Sequence, residues 1–261
     1  MTTKPKYTLE TRAGECQVDG SFADHLVQRF GADPVWIGCP RCHFDARHSQ
    51  DFDQRSKAVG IQRDRLLNER LLDAGIPDRF MGRTLDNWSA EAPAQIQALA
   101  ACGGFVEAFG ENFAVGRSAM LLGTVGTGKT HLGAAMLQAV IREHAHDGLR
   151  GLYATAGSII RDVKATFGNR ERTESDVYAD LIRPDLLVID EVGVQHGTDF
   201  ERQVLFEVIN GRYEKIKPTI VVSNLGVTEL RQCLGDRAVD RLRDKSGIVV
   251  VFRWASARGA A

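Results

Sequence analysis

No run of roughly 18 consecutive apolar residues occurs in this chain, so no membrane-spanning helix is expected. The opening residues, MTTKPKYTLETRAGE, hold no apolar stretch of the kind a secretory leader needs. No long stretch is low in complexity and no internal repeat is visible, so a solenoid is not expected. No sign of charge dominates: 33 Lys and Arg face 34 Asp and Glu, for a net charge of -1. Bulk charge therefore gives no pull toward nucleic acid, although opposed faces can cancel in a total. Cysteine is scarce, five in 261 residues. A chain without a leader is expected in the cytoplasm, where disulfides are rare. Metal binding stays open for the clustered cysteines, whereas Cys102 and Cys233 fall in helical stretches and read as core residues.

What is present is ordinary globular material, 43% hydrophobic and 26% charged, and long enough for one large domain and one small one. Residues 1 to about 50 are rich in turn formers, Cys and His. Residues 50–74 carry Arg, Lys, Asp, Glu and Leu with few breakers and read as a charged helix, which Gly75-Ile76-Pro77 ends. This predicts an N-terminal domain over 1–74 and a second domain over 75–261. Beyond residue 75 the pattern alternates. Helical periodicity over 92–109, 129–144 and 200–216, and in a segment running through Phe167, is interleaved with short apolar or β-branched runs at 118–122, 149–154, 186–189, 219–223 and 248–252. Strands alternating with helices imply an α/β domain, a parallel sheet covered on both faces.

The sharpest local signal is Gly123-Thr124-Val125-Gly126-Thr127-Gly128-Lys129-Thr130, which fits GxxxxGK[ST] with a strand before it and a helix after it. Glycines there let backbone N–H groups turn onto phosphate oxygens, Lys129 adds a point charge, and the Thr130 hydroxyl suits Mg²⁺. ATP and Mg²⁺ are therefore the expected ligands. The apolar run 186–189 ends in Asp190-Glu191. An acid at the carboxyl end of such a strand lies where open α/β sheets bind ligands. Asp190 is expected to hold the Mg²⁺ water shell and Glu191 to activate the attacking water. Asn224 follows the run 219–223, either as a turn former or as a group that holds the attacking water and the γ-phosphate. Arg237 and Arg241 lie in GDRAVDRLR, at 235–243. Either Arg suits a phosphate on a neighbouring subunit; the plainer alternative is a solvated basic helix face.

The order of P-loop, Asp-Glu, Asn and Arg resembles the AAA+ ATPases. DLLVIDEVGVQ (185–195), KPTIVVSN (217–224), LGDRAVDRLR (234–243) and VVFRWAS (250–256) go further and resemble the DnaC family of bacterial helicase loaders and its phage relatives. The resemblance covers about residues 76–256. It implies a lidless AAA+ fold, and only a few residues follow Trp254 at the chain end. It also implies that Arg237 is the trans-acting finger, with Arg241 the runner-up. Lys164, Phe167 and Phe200 match the positions where such loaders carry single-stranded DNA, Phe200 standing where the family more often shows Tyr. An aromatic face can stack a base and Lys can meet the backbone, unless both rings are simply core.

Cys39-Pro40-Arg41-Cys42 is a CxxC knuckle, and Cys16 is a third candidate ligand for a tetrahedral zinc. Phage-type relatives resemble C-x-x-H-G at the upstream position, so Asp19 stands here where they carry His. His25, His43 and His48 are further candidates for the fourth ligand, and reduced thiols without metal are the alternative. The resemblance implies an ATPase that loads a replicative DnaB-type helicase onto single-stranded DNA. Residues 1–74 would grip the helicase, and the ATPase domain would self-associate. An IstB-type transposition helper shares the same core. A small-molecule kinase needs the P-loop but not Asn224 and Arg237, and a non-hydrolysing DNA-binding scaffold has no use for Glu191.

Overall fold

The computed structural model describes residues 8–28, 33–168, 171–194 and 198–256. It divides into two compact units, Met1–Asp64 and Arg65–Ala261. The division falls inside α1 (Pro40–Asp73), a helix that begins ten residues before the charged segment read from the sequence and takes in most of the CxxC knuckle.

The first unit contains a small antiparallel sheet of β1 (Thr8–Cys16), β2 (Gly20–Val27) and β3 (Val35–Trp36), in that order. A three-residue connection joins β1 to β2 and ends on Gly20 at φ 73°, a left-handed conformation that suits glycine. Little apolar surface is available here, so polar contacts do the fixing. Asp24 is buried and accepts from Nε and Nη2 of Arg12 and from the Gly38 N–H. Arg12 in turn lies over the Trp36 ring, 3.9 Å from its centroid. Burial pushes the Asp24 carboxyl up, but the Gly38 N–H and Arg12 outweigh it and hold the group below its ordinary range. The Gly38 contact anchors the chain immediately before Cys39.

The second unit is built on five parallel strands: β4 (Ala119–Gly123), β5 (Gly151–Thr155), β6 (Leu186–Val192), β7 (Thr219–Ser223) and β8 (Ile248–Phe252). Their spatial order is β5-β6-β7-β4-β8. Successive side chains point to opposite faces, so Leu121 and Val188 enter one core while Met120, Leu122, Leu187 and Ile189 enter the other. The first core is closed by α3 (Pro93–Glu107) and α5 (Lys129–His144), together with α2 (Asp78–Met81) and α4 (Phe109–Val115). The second is closed by α6 (Ala156–Lys164), α7 (Glu174–Ile182), α8 (Asp199–Glu214), α9 (Val227–Leu234) and α10 (Asp236–Arg243). Thr155, Thr173 and Thr198 each accept a backbone N–H at the start of α6, α7 and α8, which fixes where these helices begin.

Arg212 on α8 is fully buried and, among the described residues, has no carboxylate as a hydrogen-bond partner. Its guanidinium donates to the carbonyls of Leu181, Ile182, Pro184, Asp185 and Pro218 and to Thr219 Oγ1. One side chain thus ties the end of α7 and the approaches to β6 and β7 to α8. Burial pulls its pKa down to about 9, against the attraction of Asp185. Among the cysteines read as core residues, Cys102 is fully buried and its thiol is pushed up to about 12 by burial, whereas Cys233 is only half-buried.

Candidate functional site

The chain reverses its winding direction at β4, whose neighbours β7 and β8 lie on either side of it, and the crevice beyond the strand ends at such a point is where open α/β sheets bind ligands. The segment leaving β4 is the glycine-rich loop, and it runs into the N-terminus of α5. Gly123, Gly126 and Gly128 have φ of 136°, 80° and 93°. A Cβ on Gly123 would lie 2.1 Å from the Phe252 carbonyl oxygen, and one on Gly128 would lie 2.4 Å from Trp88 Nε1. Glycine is required there by both backbone and space. The Trp254 indole N–H donates to the Thr127 carbonyl at 3.1 Å, and Trp88 packs edge-on against Trp254. Lys129 folds back on its own loop, donating to the Thr124 carbonyl at 2.6 Å, and burial lowers its pKa while Asp190 raises it.

A cavity of about 470 Å³ opens over this loop. Val125, Gly126, Thr127, Gly128, Lys129 and Thr130 line it, and so do Asp190 and Glu191 from β6 and Ser223 and Asn224 from the end of β7. Asp190 is buried, while Glu191 and Asn224 are exposed. Asp190 Oδ1 accepts the Glu191 N–H at 2.7 Å, and Oδ2 accepts the Tyr153 hydroxyl at 2.5 Å. Glu191 itself has φ 58°, at the point where the β6–β7 register shifts. Residues outside the phosphate-loop and Asp-Glu motifs also line it: Arg79 on α2, Arg83 after it, Asn87, Trp88, His131 next to Thr130, and Trp254. His131 Nε2 meets the Thr84 carbonyl at 3.0 Å and Asn87 Oδ1 at 2.9 Å. Burial lowers the His131 pKa. A carboxylate and a threonine hydroxyl are hard oxygen donors of the kind Mg²⁺ takes, so the residues present fit that ion.

Neither Arg237 nor Arg241 lines this cavity. Arg237 is exposed on α10, at the edge of a groove it shares with Asp199, Arg202 and Phe206 of α8. Arg241 lies over the rings of Phe206 and Tyr213, at 4.9 and 5.6 Å. Lys164, Phe167 and Phe200 do come together: the rings meet edge to face at 5.7 Å, and Lys164 Nζ is 5.6 Å from the Phe200 ring. Phe167 is 63% exposed, which is not how a core residue sits, and Phe200 is half-buried.

In the first unit Cys16, Asp19, Cys39 and Cys42 place one ligand atom each within 4.8 Å of one another. Cys16 Sγ and Cys42 Sγ are 3.6 Å apart, and Cys39 Sγ lies 3.3 Å from Asp19 Oδ2. Zinc–sulfur bonds of about 2.3 Å put tetrahedral sulfur neighbours at roughly 3.8 Å, so the cluster has the size zinc needs. The other oxygen of Asp19 is held by Arg41 at 3.1 Å. Backbone N–H groups of Asp19 and Val18 lower the Cys16 thiol, and hydrogen bonds with Cys16 and then Cys39 push Cys42 up to about 11. Such crowded thiols resist joint ionisation unless a cation joins them. His25 bonds Thr11 through Nδ1 and is not part of the cluster. The side chains of His43 and His48 lie outside the described residues.

A strand order of β5-β6-β7-β4-β8, a phosphate loop after β4 and an acidic pair at the end of β6 define a P-loop ATPase fold of the AAA+ class. A family model described as IstB-like ATP binding protein matches residues 84–253. The replicative helicase loader DnaC of Escherichia coli strain K12 is 33% identical over 216 residues, 82% of each chain. Its counterpart from Buchnera aphidicola subsp. Acyrthosiphon pisum is 31% identical over 211 residues, 80% of each chain. In three dimensions, the crystal structure of the DnaC helicase loader superposes with a TM-score of 0.59 at 24% identity, over 67% of this chain and 99% of that one. AMPPCP-bound DnaA from Aquifex aeolicus superposes with a TM-score of 0.55 at 23% identity, over 70% of this chain and 53% of that one. The chain belongs to the DnaC family of helicase loaders, within the IstB-like ATP-binding proteins.

Proposed function

We propose that this protein hydrolyses ATP to load a replicative DnaB-type hexameric helicase onto single-stranded DNA. The observation that carries the reading is the convergence of Lys129, Asp190, Glu191 and Asn224 on one cavity at the ends of three strands. Backbone N–H groups of the glycine-rich loop and the start of α5 bind the phosphates, and Lys129 leaves the Thr124 carbonyl to meet them. Glu191 takes the proton of the attacking water, and Asn224 orients that water. Asp190 and Thr130 would hold Mg²⁺, which offsets negative charge on the phosphates. The cavity receives no arginine from its own α10, so Arg237 serves the site of a neighbouring copy, and turnover follows assembly.

Phe167 and Phe200 offer aromatic faces for bases, and Lys164 supplies a cation for the backbone. Residues 1–74 grip the helicase, with Cys16, Asp19, Cys39 and Cys42 holding a structural zinc that locks the hairpin onto the start of α1. The test is co-purification from the native cell with ATP present. Recovery of a DnaB-type helicase supports loading. Recovery of a transposase in its place rejects it in favour of a transposition helper, the reading that the name of the IstB-like family keeps alive.

A further inference from the structure

Tyr153 belongs to no motif and its strand, β5, lies at the edge of the sheet, yet its side chain reaches the ATP site. Its hydroxyl donates to Asp190 Oδ2 at 2.5 Å from a position that is 6% exposed. Its backbone is fixed as well, because the Tyr153 N–H donates to the Ala74 carbonyl at 2.7 Å. The other oxygen of Asp190 is taken by the Glu191 N–H. Both oxygens are therefore oriented by protein donors while the carboxylate still lines the cavity. Each oxygen of a carboxylate accepts about two hydrogen bonds or ligands, so one protein donor apiece leaves each with capacity for a cation or its water. An ordinary phenol keeps its proton throughout the neutral pH range, so the hydroxyl is a standing donor to this carboxylate.

We infer that Tyr153 is a positioning residue for ATP hydrolysis: its hydroxyl fixes the rotation of the Asp190 carboxylate and so sets the affinity of the site for Mg²⁺. The inference rests on the ATPase reading above. Two effects of losing the hydroxyl oppose each other. The carboxylate becomes free to turn, which weakens a cation's hold, and it keeps more negative charge, which strengthens it. Orientation wins, because removing outer partners of metal-holding side chains costs roughly 10–100-fold in affinity or activity.

The experiment uses the full chain and Tyr153→Phe, which keeps the ring. A fluorescent ATP analogue is titrated with MgCl₂, turnover is measured in parallel, and melting is followed without nucleotide. The half-saturating Mg²⁺ concentration should rise about 10-fold for both binding and turnover. Nucleotide binding without Mg²⁺ should stay within about twofold of the parent, since phosphate cradling rests on Lys129 and the loop. In an Asp190→Asn background the same change should shift nothing further, because the two residues act through one contact. An unchanged Mg²⁺ half-saturation, with or without a lower melting temperature, overturns the inference and reduces the phenol to a packing group. A parent protein whose nucleotide binding ignores Mg²⁺ overturns the ATPase reading as well.

Discussion

Replacing Glu191 by Gly should leave a more stable protein than replacing it by Gln, while both changes remove most turnover, and the backbone at this position sets the size of the first effect. Glu191 sits at φ 58° immediately after the buried Asp190, whose carboxylate accepts its N–H. A left-handed conformation costs a residue with a Cβ about 1–2 kcal/mol, and glycine almost nothing. Glycine also loosens the unfolded chain, which takes back about 0.4–1 kcal/mol. Taking the middle of each range, Glu191→Gly should therefore be more stable than Glu191→Gln by roughly 0.8 kcal/mol. Using Gln as the reference cancels the change in charge beside Asp190 and Lys129. For a unit the size of Arg65–Ala261, this gain raises the melting temperature by about 1–4 °C. Both variants should still bind ATP and lose about 10²–10⁴-fold in turnover, because the base is gone. Differential scanning fluorimetry without nucleotide, paired with phosphate release under saturating ATP, reads both effects. A Gly variant that melts no higher than the Gln variant refutes the strain argument. A Gln variant with the parent's turnover refutes the role of Glu191.

Further expectations concern other parts of the molecule. Protein purified without chelator should carry about one zinc per chain by elemental analysis, and Cys39→Ser or Cys42→Ser should unfold the first unit; no metal after zinc supplementation removes the site. Arg237→Ala should bind ATP normally but lose turnover, and mixing it with Lys129→Ala should restore part of it, since one interface then pairs an intact loop with an intact finger; no recovery from variants that still assemble rules out action in trans. Arg212→Met should cost at least about 3 kcal/mol by stranding several buried carbonyls, seen as a melting temperature lower by roughly 6–12 °C; a drop of only a degree or two would mean that the carbonyls find other donors.

The readable parts of this molecule are those whose physics is local. The glycine-rich loop announces itself because three of its eight consecutive residues, Gly123, Gly126 and Gly128, hold conformations that disfavour a side chain. Asp190-Glu191 is legible because two acids at the end of an apolar run belong at the carboxyl ends of the strands, where the ligand crevice lies. The first unit is harder to read: β1 is TLETRAGEC, mostly exposed, with no alternation of apolar and polar residues to betray a strand. Its order comes instead from Asp24, Arg12 and Trp36, which no spacing rule connects. Trp88 and Trp254 also escape notice, because nothing in either stretch of sequence says that the two indoles meet over the phosphate loop. Tyr153 is hidden for the same reason: the contact that matters crosses between neighbouring strands, to a residue 37 positions away.

The two arginines of α10 show what geometry adds where residue type and spacing alone do not separate neighbours, and only the family resemblance ranks Arg237 before Arg241. Arg237 and Arg241 are one helical turn apart and share a basic, solvated look. In the fold they differ. Asp236 and Asp240, the acids best placed to pair with them, are both taken by Arg231 of α9, at 3.0 and 2.7 Å. Arg241 turns to the aromatic surface of α8, where Phe206 and Tyr213 hold its guanidinium and Nη1 is buried without a hydrogen-bond partner among the described residues. To act on a neighbour's phosphate it would first have to leave both rings, at a cost of about 0.5–1 kcal/mol each. Among the described residues Arg237 has no such hold, and it is exposed at the groove edge. Its side chain is therefore the one free to cross an interface, while Arg241 secures the helix that carries it. Arg241→Ala should accordingly loosen α10 and lower the melting temperature, whereas Arg237→Ala should leave melting unchanged and remove turnover. The reverse pattern, melting lost with Arg237 and turnover alone lost with Arg241, would exchange the two assignments.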